Sequence, residues 1–187
     1  IPTKITPEIA PNCNYAPSDV EVFASSTAIA SVEVTQPFDD IANAEVIIEN
    51  GLGSYIYQLD ENAFQNSPQF FNLNSGIHTI TVRDILGNCG DFILEFIVIK
   101  YPKYFTPNED GYNDTWNIWD LRSTQPNAII YIFDRYGKLL KQINPGGYGW
   151  DGTYNNSQLP STDYWFTIEF IHENKKQIFK SHFTMKR

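Results

Sequence analysis

The sequence predicts an all-β protein, two immunoglobulin-like β-sandwich domains in tandem, and three observations carry that prediction. Short apolar or alternating runs recur throughout, separated by Gly-, Asn- and Pro-bearing breaks, and no window shows a helical period. Aromatic residues reach 15%, which favours pleated, half-buried surfaces over helices. Hydrophobic residues reach 42% while charged residues stop at 19%, a balance that excludes a disordered chain.

In the first half the predicted strands are Val20 to Phe23, Ile29 to Thr35, Ala44 to Glu49, Ser54 to Leu59, Gln69 to Asn72, Ile77 to Arg83 and Phe92 to Ile99. Seven short strands at this spacing fit a sandwich. Between them lie Asn50-Gly51-Leu52-Gly53, Asn66-Ser67-Pro68, Asn74-Ser75-Gly76 and Leu86-Gly87-Asn88, where Gly and Asn tolerate the positive φ of tight turns. Alternation supports the assignment, because Tyr55, Tyr57 and Leu59 share one side of their strand. Phe92 to Ile99 is apolar on both faces apart from Glu95, which predicts a central strand or one that bridges into the next domain.

Lys100-Tyr101-Pro102-Lys103 then breaks the apolar run, and the boundary is placed here: residues 1–99 form one domain and 100–187 the other. The second half yields strands Thr115 to Trp119, Ala128 to Asp134, Lys138 to Ile143, Tyr164 to Glu173 and Lys176 to Thr184. Arg135-Tyr136-Gly137 forms one hairpin connection and Asn174-Lys175 another. Tyr164, Phe166, Ile168 and Phe170 share a face, opposite the mixed set Trp165, Thr167, Glu169 and Ile171.

Charge separates the halves. Residues 1–99 hold 13 acidic residues against Lys4 and Arg83, whereas residues 100–187 hold 11 basic and nine acidic residues. The acidic half speaks against nucleic acid or anionic lipid as a partner, since both need clustered cations. No apolar run approaches the ~18 residues of a membrane span, so no direct membrane insertion is expected. Ile1-Pro2-Thr3-Lys4 lacks a signal-peptide layout, which suggests a fragment whose targeting sequence lies upstream. A monomer is expected. Cys13 and Cys89 are too far apart for a zinc knuckle or a redox pair. They either form a disulfide closing about 75 residues in an oxidising compartment or stay as two buried thiols.

Several short segments invite a chemical interpretation. Asn108, Asp110, Asn113 and Asp114 place oxygen side chains around Gly111, resembling half of an oxygen-rich calcium loop. Thr106 stands where a first carboxylate belongs and no bidentate Glu follows, so the competing interpretation is a metal-free Asx-turn network. Gly147 to Gly152 satisfies G-x-G-x-x-G literally, but no helix follows it, and an aromatic-capped turn fits better than a dinucleotide site. His78, His172 and His182 all fall in predicted strands, without catalytic spacing or a nucleophile elbow, so no enzyme is expected. If the chain were instead a calcium-dependent carbohydrate or adhesive module, Tyr148, Trp150 and Asn155 would form its ligand platform.

Taken in order, Tyr104-Phe105-Thr106-Pro107-Asn108 to Asn113-Asp114, Ile132-Phe133-Asp134-Arg135-Tyr136-Gly137, Gly149-Trp150-Asp151-Gly152 and Phe183-Thr184-Met185-Lys186-Arg187 resemble the gliding-motility-associated, type B C-terminal domain of the type IX secretion system. Residues 41–91 resemble, more loosely, the immunoglobulin-like repeats of Bacteroidota surface adhesins, through Gly53 to Asp60, His78 to Asp84 and Gly87-Asn88-Cys89. The resemblance implies a sorting signal, read in the folded state, that carries an adhesin-like cargo from the periplasm across the outer membrane to the cell surface. It implies as partners the type IX translocon and an outer-membrane protein dedicated to type B cargo. Phe183, Lys186 and Arg187 are the expected recognition residues, and Met185 departs from the Leu common at its position.

Overall fold

A computed structural model of the chain describes residues 3–5, 20–22, 26–86 and 90–187. Its strands are β1 (Thr3–Ile5), β2 (Val20–Val22), β3 (Ile29–Val34), β4 (Ala42–Asn50), β5 (Tyr55–Leu59), β6 (Gln69–Leu73), β7 (Gly76–Asp84), β8 (Asp91–Val98), β9 (Tyr104–Phe105), β10 (Ile129–Phe133), β11 (Leu139–Ile143), β12 (Thr153–Tyr154), β13 (Ser157–Gln158), β14 (Asp163–His172) and β15 (Lys175–Met185), with one 3-10 turn at Trp119–Leu121. The protein is all-β. Among the described residues no helix is long and apolar enough to cross a membrane. The chain forms two compact units, Ile1–Thr35 with Ile41–Phe96, and Gln36–Asp40 with Ile97–Arg187.

In the first unit β3-β4-β6 form one sheet and β5-β7-β8 the other, while β1 and β2 pair as a separate ribbon. Taken as A, B, C, E, F and G, strands β3 to β8 divide A-B-E against C-F-G, which is the immunoglobulin division. Alternation builds the core: Ala42, Ala44 and Val46 from β4, Tyr57 from β5, Phe70 and Leu73 from β6, and Ile80 and Val82 from β7 are all buried. β8 is the last strand of its sheet rather than a central one. Asp84 is buried at the end of β7, where its Oδ1 accepts the N–H groups of Ser54 and Leu86 and draws the 53–54 and 85–86 turns together.

The second unit is built on one five-stranded sheet in the order β11-β10-β14-β15-β9, antiparallel except for the β15–β9 pair. The ten-pair ladder of β14 and β15 is uninterrupted, with Asp163 opposite Thr184 through to His172 opposite Lys175. Glu173 (φ 49°) and Asn174 (φ 58°) are the two turn residues, a type I′ geometry that lies one residue earlier than the predicted Asn174-Lys175 connection. One sheet face is core: Ile130, Ile132, Tyr164, Phe166, Ile168, Phe170, Phe183 and Met185 are buried, while Trp165, Ile171 and Ile178 on the other face stay exposed. The core face is covered by segments without extended pairing, which bring in Trp116, Ile118, Leu121 and Trp150.

The predicted strand Thr115 to Trp119 is therefore a covering segment. It makes one antiparallel bridge, Trp116 with Trp150, and then turns 3-10. Asn117 is wholly buried there; its amide donates to the Asn144 carbonyl at 3.0 Å and its Oδ1 accepts the Ile118 N–H at 2.8 Å, substituting for a ladder. Phe38 also joins this core, T-shaped on Phe170 at 5.1 Å and stacked on Phe179 at 4.5 Å, with its N–H donating to the Ile99 carbonyl. Its φ of 73° is uncommon for a residue with a Cβ and is held by that packing.

Candidate functional site: the C-terminal strand and its surroundings

β15 carries the chain end into the second unit between two neighbours. Thr184 N–H donates to the Lys103 carbonyl, Met185 N–H to Thr162, and Lys186 N–H to Phe105, so three successive amides anchor the last turn of sequence. Phe183 is fully buried, stacked on Trp116 with ring centroids 3.9 Å apart and edge-on to Phe105 at 5.8 Å. Burying a Phe side chain contributes about 1.5–3 kcal/mol. Phe183 is thus a core residue, which corrects its assignment to a recognition surface: no receptor can touch it while the unit is folded.

Lys186 and Arg187 are exposed. Lys186 Nζ lies 5.4 Å from the Tyr104 ring centre. Arg187 donates from Nη1 to the Leu159 carbonyl at 3.2 Å and from Nη2 to those of Asp151 and Gly152, while its N–H reaches Ser161 Oγ at 3.0 Å. The guanidinium gathers three backbone carbonyls, of which that of Gly152 also accepts the Leu159 N–H, and the chain end becomes part of the folded surface.

Gly149-Trp150-Asp151-Gly152 gains a structural explanation from the same contacts. Gly152 has φ 77°, and a Cβ there would collide with Met185 Sδ. Gly149 has φ 87°, and a Cβ there would lie 2.8 Å from the Trp116 carbonyl oxygen. Trp150 is 1% exposed, with its indole N–H donated to the Thr153 carbonyl at 2.9 Å and its ring edge-on to Tyr164. This corrects the ligand platform: Trp150 is core, Tyr148 stands alone at 94% exposure, and Asn155 with Asn156 forms the positive-φ turn joining β12 to β13.

In the Asn108–Asp114 loop the carboxylates turn inward. Asp114 Oδ1 accepts the N–H groups of Asn108 (3.0 Å) and Glu109 (2.7 Å), and its Oδ2 that of Gly111 (2.7 Å). Asp110 Oδ1 accepts the Tyr112 N–H, its Oδ2 takes an amide proton from Asn108, and these bonds hold its carboxyl below the ordinary value. Asn113 supplies φ 52° and its carbonyl to the Thr106 N–H. A cation would have to displace these donors, so the residues present fit calcium poorly. Among the described residues no three His, Cys, Asp or Glu side chains share a metal-sized space. Cys13 and Cys89, expected either as a disulfide or as two buried thiols, lie outside the described residues.

The histidines serve packing and turns. His78 Nδ1 meets Asp60 Oδ2 at 2.8 Å and its Nε2 faces the Asn74 carbonyl at 3.1 Å, which ties two loops of the first unit. His182 lies on the open sheet face opposite Trp165.

One feature of the second unit escaped sequence reasoning. A cavity of about 270 Å³ opens between the β10–β11 turn and residues 159–164, floored by Leu140, Leu159 and Tyr164. Arg135 and Lys138 stand at its rim; Arg135 Nη2 donates to Thr162 Oγ1 at 2.7 Å and Lys138 Nζ sits 4.3 Å above the Tyr154 ring. Burial holds the Tyr164 phenol above its ordinary value, while the charges of Arg187 and Arg135 pull it back in part. The only local signal is a Tyr at the tip of a hairpin turn, where a small polar residue would suffice.

No curated protein matches the chain. A solved structure, the BSP domain of a biofilm-associated protein, aligns over 87% of this chain and 29% of its own at 12% identity, with a TM-score of 0.25. The chain therefore spans less than a third of that relative. A family model, the CHU_C type IX secretion signal domain, matches residues 99–185, which fall inside the second unit together with every residue of β9 to β15. Residues 99–185 of this chain carry a type IX secretion signal domain.

Proposed function

We propose that the second unit is a folded export address that takes an adhesin-like cargo through the type IX secretion system to the cell surface, with the first unit as a stalk module. The observation that supports it most is that the segment matched as a secretion signal forms one hydrophobic core which includes its own last strand. With Phe183 and Met185 wholly buried and Arg187 tied to three carbonyls, the tail offers no free linear peptide. A receptor must read a surface. The partners are the translocon and an outer-membrane protein dedicated to type B cargo, and the task is recognition without chemistry. Deleting Lys100 to Arg187 from a full-length cargo is expected to strand it in the periplasm. Normal secretion of the truncated cargo would refute the proposal.

A further inference from the structure

We infer that the cavity beside the β10–β11 turn is where the export machinery docks, and that it seats an aromatic or aliphatic side chain of an extended acidic segment. The inference rests on the export function proposed above and names its contact surface. Of the motifs singled out in the second half, most of the loop, the Gly-rich turn and the chain end are consumed by internal hydrogen bonds and core packing. Arg135-Tyr136 is different: Tyr136 is 87% exposed at the turn tip, and no packing explains an aromatic ring there.

Charge selects the occupant. Two carboxylates border the cavity, and both have internal donors. Asp134 Oδ1 accepts the N–H groups of Tyr136 and Lys138, each at 2.9 Å, and Asp163 Oδ1 accepts the Thr184 hydroxyl at 2.6 Å. Arg135 makes one hydrogen bond among the described residues, to Thr162, and a guanidinium has five N–H donors. The rim is left with open cationic donors over an apolar floor, a combination that suits a carboxylate flanking an apolar anchor. At about 270 Å³ the cavity is smaller than the usual small-molecule site and fits one side chain. Its wall at Leu159 to Thr162 is also the strip that receives the Met185 N–H and Arg187, so occupancy and chain-end docking are read together.

The test fuses a folded reporter to the complete 187-residue chain in a bacterium with a type IX system and measures the extracellular fraction. Arg135→Glu with Lys138→Glu, and separately Tyr136→Ala, are expected to cut that fraction about tenfold, with the reporter accumulating in the periplasm. Tyr148→Ala, an equally exposed tyrosine remote from the cavity, is the control and is expected to export normally. Melting curves of the purified variants establish folding; should the charge reversal unfold the unit, Tyr136→Ala decides, since an 87% exposed ring supports no core. Undiminished export of folded cavity variants beside an exported wild type overturns the docking site alone. Retention of the wild type overturns the export function on which it rests. A dimer in sedimentation that the charge reversal dissociates would give the cavity to the acidic first unit of a second copy, and would also overturn the inference.

Discussion

The Trp116 indole lies on the Phe183 ring, 3.9 Å between centroids and 13° from parallel, which joins the covering segment to the last strand across the core of the second unit. Phe183→Ala removes that partner and leaves a cavity among Trp116, Trp150 and Phe166. The expected loss is about 3–5 kcal/mol of unfolding free energy, measured by denaturant titration with the slope unchanged. Export falls as the folded fraction falls.

Gly152→Ala is expected to destabilise the second unit by about 1–3 kcal/mol, because φ is 77° and the new methyl meets Met185 Sδ. Met185→Ala in the same chain relieves the clash. The double variant should therefore lose less than the sum of the two single losses, a coupling read from a double-mutant cycle. Additive losses would separate the glycine from the chain end.

Asp114→Ala leaves three amides of the 108–111 turn without their acceptor and is expected to cost about 1–3 kcal/mol. Because the carboxylates already serve these donors, adding calcium or EDTA is expected to leave the melting temperature of the wild type unchanged. A calcium-dependent rise would show that a cation can reorganise the loop.

The first unit has a pH-dependent element in Asp60. Burial works against its ionisation, but the Thr79 N–H and His78 outweigh it and lower the carboxyl from 3.8. A folded-state value below the unfolded one gives stability that is present above about pH 3.8 and lost as pH falls through the lowered value. Asp60→Asn should flatten the acid limb of the first unit's unfolding curve and leave the second unit's transition in place. Equal acid sensitivity in the variant would remove Asp60 from the account.

Local patterning made the long strands legible. In β14 the Tyr164, Phe166, Ile168, Phe170 alternation reads directly as a core face, and the β4 to β8 runs divide as an immunoglobulin-like sandwich should. Thr115 to Trp119 misled because Trp116 and Ile118 are buried at strand spacing, while a side-chain bond from Asn117 replaces the ladder. β9 pairs in parallel with residues some 80 positions away, and Phe38 enters a core built from residues beyond 97; neither leaves a local period. At the site, the chain end was identifiable as important, but Phe183 and Trp150 proved to be packing. Exposure marks the residues free to be read, and sequence alone does not report it.

On the proposed function, the folded second unit is itself the address. The most direct measurement appends residues 1–187 to a periplasm-delivered reporter and compares export of the wild-type fusion with one carrying Phe183→Ala, each scored for folding by protease resistance. The wild-type reporter is expected outside the cell, and export of the variant is expected to drop with its folded fraction. Efficient export of a protease-sensitive, unfolded variant would contradict it, since the tail would then be read as a linear peptide.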